Sequence, residues 1–186
     1  MGCMKVRLLE VVERSYLVAR RGDAAAEALA RHIAQLLSAE PCSEEGPAGS
    51  CCRVYLWARP PRECLDSVFF VVVESPTPRF SGRLSRLVME KLAPGLYVVY
   101  ARSDPARRVY VRIREKVEEV EPPCPRRLLE ELAEHADVGS SLPIRDAVDI
   151  VASMLGIGRG EARELIASLA KRLCLAVKNG RVYLLQ

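Results

Sequence analysis

The tripeptide Arg-Val-Tyr occurs three times in this chain, starting at Arg53, at Arg108 and at Arg181. Each copy joins a guanidinium group to an aromatic ring. Residues two apart in a β-strand share one face of the sheet, so a strand built on this motif places its cations and its rings side by side. Aromatic rings of this kind stack on nucleic-acid bases, and arginines contact the phosphates.

The first two copies extend into longer segments that alternate as half-buried strands do. Their apolar residues, such as Val54 and Val109, fall on the opposite side. We expect an open surface, called here the arginine–aromatic face, that consists of Arg53, Tyr55, Trp57, Arg59, Arg108, Tyr110, Arg112, Arg114 and Lys116. A structural role is the alternative, because Tyr and Trp favour strands in any case and Arg can pair with a neighbouring Glu. Trp57 would belong to the core if the register were reversed.

Groups that could carry catalysis are sparse. The two histidines, His32 and His135, are expected to pack in a helix and to sit at a helix end. Asp66 and Glu74 flank an apolar run much as the carboxylates of metal-dependent nucleases do, but Pro76 stands where those enzymes need a lysine. The sequence has no phosphate-binding glycine loop, nucleophile elbow or metal-binding histidine pair. It therefore predicts a protein that is not an enzyme and has no cofactor or metal; a nuclease is the alternative.

Four of the seven cysteines lie close together in the sequence: Cys42, Cys51, Cys52 and Cys64. They form no Cys-x-x-Cys pair, which argues against a zinc or iron–sulfur site. Free thiols and disulfides both remain open, and intracellular proteins of hyperthermophiles do use disulfides. The disulfide we expect joins Cys42 to Cys51 or to Cys52 and closes the loop 43–50.

The composition is that of a folded protein. The chain has 186 residues, 49% of them hydrophobic, and a formal net charge of +4, which permits a polyanionic partner without requiring one. One Asn, one Thr and two Gln occur beside 28 Lys and Arg; scarce amides and abundant charges are typical of thermophiles. No apolar run reaches the length of a membrane span, and no signal-peptide pattern begins the chain. We expect a soluble cytoplasmic protein, most simply from a thermophilic archaeon.

The elements that must position the arginine–aromatic face are predicted from hydrophobic periodicity. Within 1–120, strands are expected at 5–13, 15–21, 52–59, 67–75, 95–101 and 107–120, with helices at 22–39 and 81–92. Asp23 is a candidate N-cap of the first helix. The order β-α-β-β-α-β with an extra strand at each end predicts an α+β domain of the ferredoxin-like class.

A proline-rich linker is predicted at 121–125 because its prolines exclude a continuous helix. The region 126–186 then contains three helical segments, at 126–135, 145–155 and 160–173. Asn179-Gly180 between two apolar stretches predicts a β-hairpin at the end of the chain.

The segment from Leu142 to Leu185, LPIRDAVDIVASMLGIGRGEARELIASLAKRLCLAVKNGRVYLL, resembles the winged helix-turn-helix superfamily. Its short first stretch would be the first strand, its glycine-containing turn the tight corner, and its hairpin the wing. The resemblance implies that the third helix enters the major groove of DNA and that the wing contacts the backbone. The residues that it points to are Arg159, Arg163, Ser168 and Lys171 on the helix, and Lys178 and Arg181 on the wing.

These observations predict a nucleic-acid-binding protein of transcription, replication or repair, with DNA favoured over RNA. Two alternatives belong to other classes. In one, the chain is a subunit whose winged helix docks on a larger protein complex. In the other, it is a transcriptional regulator that responds to a small ligand.

Overall fold

A computed structural model of the protein describes residues 7–43, 51–137 and 140–185. The chain forms two compact units, Met1–Val120 and Glu121–Gln186. They are called here the N-terminal unit and the C-terminal unit. In the described part of the chain, no helix combines the length and the apolar composition that a membrane crossing requires.

The N-terminal unit is built on one sheet of seven strands in the order β2-β3-β1-β4-β5-β6-β7, which curls into a half-barrel. The first four strands in this order are parallel and the rest form an antiparallel meander. Its strands are β1 Ser15–Val18, β2 Val54–Leu56, β3 Phe70–Val73, β4 Ser85–Ala93, β5 Leu96–Ala101, β6 Asp104–Ile113 and β7 Val117–Val120. Its helices are α1 Leu8–Val12 and α2 Ala24–Leu36, with short 3-10 turns at Arg62–Cys64 and Pro78–Phe80.

Strands β2 and β3 are covered on both faces. Val54 and Phe70 lie in the core beneath α1 and α2, whereas Tyr55 and Val71 lie in a second apolar cluster on the opposite face of the sheet. That second cluster also contains Phe80 and comes largely from the loops that follow β2 and β3. Burial on both faces explains why β3 is a continuous apolar run and does not alternate.

The predicted fold class is wrong. The sheet is mixed and seven-stranded, so a ferredoxin-like domain followed by a winged helix is not the layout that the structure shows. The expected strand at 5–13 contains the helix α1, and the expected helix at 81–92 is occupied by the strand β4. Because β4 pairs with β1 on one side and with β5 on the other, it joins the parallel part of the sheet to the antiparallel part.

Elements with strong local signals are confirmed. The Asp23 side chain accepts hydrogen bonds from the backbone N–H groups of Ala25 and Ala26 at 3.0 Å and so caps α2. The hairpin predicted from 95–101 and 107–120 is present as β5 and β6, but the structure divides the predicted strand 107–120 into β6 and β7.

The C-terminal unit contains three helices and a three-stranded antiparallel sheet of order β8-β10-β9. The helices and hairpin expected beyond the linker are therefore confirmed, while the resemblance to winged-helix proteins stays a prediction. The elements are α3 Arg126–Glu134, β8 Ser141–Pro143, α4 Ile144–Leu155, α5 Arg159–Lys171, β9 Leu175–Lys178 and β10 Arg181–Leu184. Asn179 and Gly180 both have positive φ, 51° and 71°, as the tightest type of hairpin turn requires.

Three disulfides cross-link the described residues. Cys42 is bonded to Cys52, one of the two expected alternatives; most of the loop that it was expected to close, 44–50, lies outside the described residues. Cys51 is bonded to Cys64. The third bond, Cys124–Cys174, links positions 50 residues apart within the C-terminal unit, and the sequence did not indicate it.

Candidate nucleic-acid interface

The first strand of the arginine–aromatic face does not present open rings. Tyr55 is only 5% exposed because its side of β2 is covered by the second apolar cluster. Its hydroxyl accepts a hydrogen bond from the backbone N–H of Cys52 at 3.1 Å. The expectation of an open ring at Tyr55 is therefore wrong.

Trp57 lies on the other side of the sheet from Tyr55. The strand β2 ends at Leu56, and Trp57 has a φ of 61°, which turns its ring toward the core beneath α1 and α2. Its indole N–H donates a hydrogen bond to Glu27 of α2 at 3.0 Å. The expected sharing of one face by Tyr55 and Trp57 fails because the regular alternation stops after three strand residues.

In the second strand, the expected alternation holds, and the expected openness holds for Arg112 but not for Tyr110. Arg108, Tyr110 and Arg112 lie on the sheet face away from Val109 and Val111, which belong to the core beneath the helices. Tyr110 is nevertheless only 2% exposed, and its hydroxyl accepts a hydrogen bond from the Arg108 Nε at 3.1 Å.

The remaining members of the arginine–aromatic face are dispersed. The Arg53 guanidinium lies over the Phe69 ring, 5.6 Å from its centre, and Arg59 donates to the Ser75 hydroxyl at 3.4 Å. Strand β6 ends at Ile113, so Arg114 and Lys116 lie in the turn before β7. The nine residues are therefore not a single binding surface.

The carboxylates considered for a nuclease are separated by the whole of β3. Asp66 precedes that strand and pairs with Arg14 and Arg83, at 3.9 and 3.7 Å, whereas Glu74 follows it. Within 7–43, 51–137 and 140–185, no three His, Cys, Asp or Glu side chains are grouped to hold a metal ion.

The two histidines lie apart from any such group. Burial lowers the pKa of His32, an effect that the nearby Glu119 charge opposes. The His135 Nδ1 lies 2.9 Å from the carbonyl oxygen of Glu131 on its own helix.

On α5, the four predicted residues do not share one side. At about 100° per residue, Arg163 lies about 40° from Arg159, whereas Ser168 lies about 180° away from it. Lys171 is exposed and points away from the buried stripe of Ala162, Ile166 and Leu169. Of the four predicted residues, only Arg159 and Arg163 therefore lie on the same side of α5.

These two arginines face α4 across a cleft, called here the arginine cleft, which is lined by Arg145, Val148, Arg159 and Arg163. Asp149 holds Arg159 in a bidentate ion pair, with both N···O distances 2.5 Å. Among the described residues, Arg145 and Arg163 have no hydrogen-bond or ion-pair partner. The sequence analysis missed Arg145 because only the packing of α4 on α5 brings it to the cleft. The signal that could have indicated it is its position one helical turn before Asp149.

In the hairpin, Lys178 and Arg181 behave differently. Lys178 is exposed at the turn and has no partner among the described residues. Arg181 forms an ion pair with Asp137 and donates to the Ser141 hydroxyl at 3.2 Å. Arg181 therefore links β10 to β8 and to Asp137, so it is less available to a ligand than Lys178 is.

Comparison with other proteins does not assign this chain to a family: no protein family, no curated protein and no solved structure matches it significantly.

Proposed function

We propose that the protein binds nucleic acid without catalysis, through the C-terminal unit, and that duplex DNA is its main ligand. The observation that carries the proposal is a set of exposed cations without counter-ions. Arg163 and Lys171 on α5 and Lys178 at the hairpin turn have no acidic partner among the described residues. Cations of this kind are available to phosphates without first breaking an ion pair.

The distribution of charge along the C-terminal unit supports this proposal better than the net charge of the unit does. Residues 121–141 contain two basic and five acidic residues, whereas 142–186 contain seven basic and four acidic ones. The unit as a whole is therefore neutral, and attraction to a polyanion must come from its second part. Contacts to phosphates supply most of the non-specific affinity for DNA.

Duplex is favoured over single strands because single-strand binding depends on open rings. Bases stack on exposed aromatic side chains at about 1–3 kcal/mol each. Tyr55 and Tyr110 are buried, and Trp57 packs against the core. These rings therefore lack the faces that stacking needs.

The experiment is fluorescence anisotropy with duplex and single-stranded oligonucleotides across a salt series. We expect micromolar duplex binding at low salt that weakens as salt rises, with a slope of about −0.9 per phosphate contact in a double-logarithmic plot. Lys171→Ala combined with Lys178→Ala should flatten that slope by about two contacts. Lys91→Ala, which removes an exposed lysine of the N-terminal unit, is the matched control. Absence of duplex binding at low salt would contradict the proposal.

A second candidate function is docking on a larger protein complex. It is favoured by apolar side chains that the C-terminal unit exposes: Met154, Leu155 and Val177 are 41%, 46% and 43% exposed. If it is correct, the chain co-purifies with a defined complex from its own cells, and Met154→Asp combined with Leu155→Asp releases it. Retention of that complex by the double variant would remove this candidate.

The cellular setting is part of the same proposal. Three disulfides fit an oxidising compartment, and they equally fit the cytoplasm of a hyperthermophile. We favour the cytoplasm of a thermophilic archaeon, because Arg and Glu abound while amides are scarce. A role in transcription, replication or repair follows from the proposed binding of DNA. Mass spectrometry after thiol blocking in lysed cells tests the cytoplasmic disulfides; fully reduced cysteines would contradict them.

A further inference from the structure

The arginine cleft is assembled by one-turn spacing on each of two helices. Arg159 and Arg163 are four residues apart on α5, and Arg145 and Asp149 are four residues apart on α4, so each pair lies on one helix face. Val148, which is 2% exposed, lies beneath them. The turn between the helices contains Gly156 with a φ of 65°, which lets α5 follow α4 closely.

The charges that line the cleft do not balance. Three guanidiniums line it, and Asp149 is the carboxylate that pairs with one of them. Arg145 and Arg163 each present five N–H donors, for which the described residues supply no acceptor. A guanidinium binds phosphate through two parallel hydrogen bonds, so two unpaired arginines at one cleft match the oxygens of one phosphate group.

The start of α5 already has its own anion. The helix begins at Arg159, and the N-terminal end of a helix dipole favours a nearby anion. The backbone N–H of Gly158 is bonded to the Glu161 carboxylate at 2.9 Å, and that charge offsets the dipole, so a phosphate in the cleft depends on the arginine side chains.

We propose that the arginine cleft binds one phosphate group of the nucleic-acid backbone through Arg145 and Arg163, with Asp149 as an internal competitor for Arg159. The identity of the ligand rests on the proposed function; the affinity for phosphate rests on the cleft alone. Bound phosphate draws Arg159 away from Asp149, and the Asp149 charge opposes the anion. The carboxylate therefore sets the affinity below what three arginines would give.

Titration of the full-length protein with inorganic phosphate, followed through the NMR signals of the arginine Nε–H groups, tests the cleft. We expect saturable shifts at Arg145 and Arg163, and a loss of affinity of roughly tenfold in Arg145→Ala or Arg163→Ala. Asp149→Asn should raise the affinity severalfold, because it removes the competing charge. Arg127→Ala, an exposed arginine of α3 outside the cleft, should change nothing.

Two results would overturn the proposal that the cleft binds phosphate. One is the absence of saturable shifts at Arg145 and Arg163. The other is an equal loss in Arg127→Ala, which would show that phosphate responds to net charge alone. Because Arg145 and Arg163 are exposed, their variants should fold; an unchanged far-UV circular dichroism spectrum verifies this.

Duplex binding by the same variants separates this inference from the proposed function. If both hold, Arg145→Ala lowers duplex affinity and flattens the salt slope by about one contact, and Asp149→Asn raises the affinity. Undiminished duplex binding in Arg145→Ala combined with Arg163→Ala overturns the inference and leaves the proposed function standing. If the cleft binds phosphate but the protein does not bind duplex DNA at low salt, the proposed function is wrong. The phosphate that the cleft binds would then not come from a nucleic-acid backbone.

Discussion

Arg14 and Arg53 of the N-terminal unit and the pair Arg145 and Arg163 of the C-terminal unit use the same residue type in opposite ways. In the N-terminal unit, arginines hold the structure together: Arg14 donates to several backbone carbonyls, and Arg53 covers an aromatic ring. In the C-terminal unit, an apolar core and the Cys124–Cys174 bond hold the fold, and Arg145 and Arg163 lack partners among the described residues.

The comparison explains why a repeated tripeptide misled the sequence interpretation. The first Arg-Val-Tyr copy begins one residue before β2, and the other two lie on β6 and on β10. In these places neighbouring strands and loops engage the arginine, the ring or both. The arginines of the arginine cleft come from two helices and share no motif. Whether an arginine of this chain is available to a ligand depends on whether hydrogen-bond acceptors of the fold lie within its reach. A short sequence motif does not contain that information.

The largest expected effect concerns the cross-link. Replacing Cys124 and Cys174 together by Ala should lower the free energy of unfolding of the C-terminal unit by about 4 kcal/mol, since the bond closes a loop of 50 residues. Hydrogen exchange of the amides in α5 measures this loss. Fluorescence of Trp57, the one tryptophan in the chain, follows the N-terminal unit separately and should keep its denaturation midpoint.

The matched variant for this prediction is Arg145→Ala combined with Arg163→Ala. Exposed side chains without partners contribute within about 0.5 kcal/mol, so α5 should keep its protection. If the arginine variant lost as much protection in α5 as the disulfide variant does, these arginines would be structural and the contrast between the two units would be wrong.

The second effect is the loss of the Arg14 contacts. Its guanidinium donates to the carbonyls of Leu65, Asp66 and Val68 at 2.8, 2.7 and 3.4 Å, and to that of Arg83 at 3.3 Å. Arg14→Ala leaves these carbonyls without their donor and should destabilise the N-terminal unit by roughly 2–3 kcal/mol.

Denaturation followed by Trp57 fluorescence measures this loss. Arg79→Ala provides the control, because Arg79 is exposed and has no partner among the described residues. Equal midpoints for the two variants would show that Arg14 is as dispensable as a surface arginine.

The sequence predicted elements that short-range signals determine and missed those that depend on distant partners. The helix α2 was predicted from the Asp23 cap and a regular apolar stripe, and β5 with β6 from a turn between two apolar strands. The strand β4 was missed because Leu87 and Val88 also fit a helical stripe; pairing with β1 and β5 overrides that preference. The helix α1 was missed although Leu8, Val11 and Val12 have helical spacing.

The candidate site divides in the same way. Arg159 and Arg163 could be placed together from helical spacing alone. Arg145 and the third disulfide could not, because each depends on how segments far apart in the sequence pack. The burial of Tyr55 and Tyr110 was equally hidden, since alternation shows which residues share a face and not whether that face is covered.

A smaller effect tests whether the Trp57 ring is structural. Trp57→Phe removes the hydrogen bond to Glu27 and keeps an aromatic ring, so we expect a loss of about 1 kcal/mol, measured by denaturation followed by circular dichroism. Glu27→Gln keeps an accepting oxygen and should cost less. If Trp57→Leu weakened single-strand binding without lowering the folded fraction, the ring would be an open stacking surface and the contrast between the units would narrow.

The smallest effect concerns Tyr100, which pairs with Arg108 across β5 and β6. Burial, followed by the hydrogen bond to Glu90 and the charge of that residue, raises the pKa of Tyr100 from 10.0 to about 12. Because the folded state holds the phenolic proton more tightly than the unfolded state does, the contribution of Tyr100 to stability is complete below pH 10 and declines as pH rises toward 12.

Absorbance of the ionised phenol, compared between the protein and Tyr100→Phe, measures this pKa. Glu90→Gln removes the charge and weakens the hydrogen bond, and should therefore lower the pKa of Tyr100 toward 10.0, its ordinary value. A phenol that ionised at its ordinary pKa in the unmodified protein would mean that neither burial nor Glu90 acts on it. Tyr100 would then be a ring without that partner beside Arg108, and the contrast between the two units would narrow.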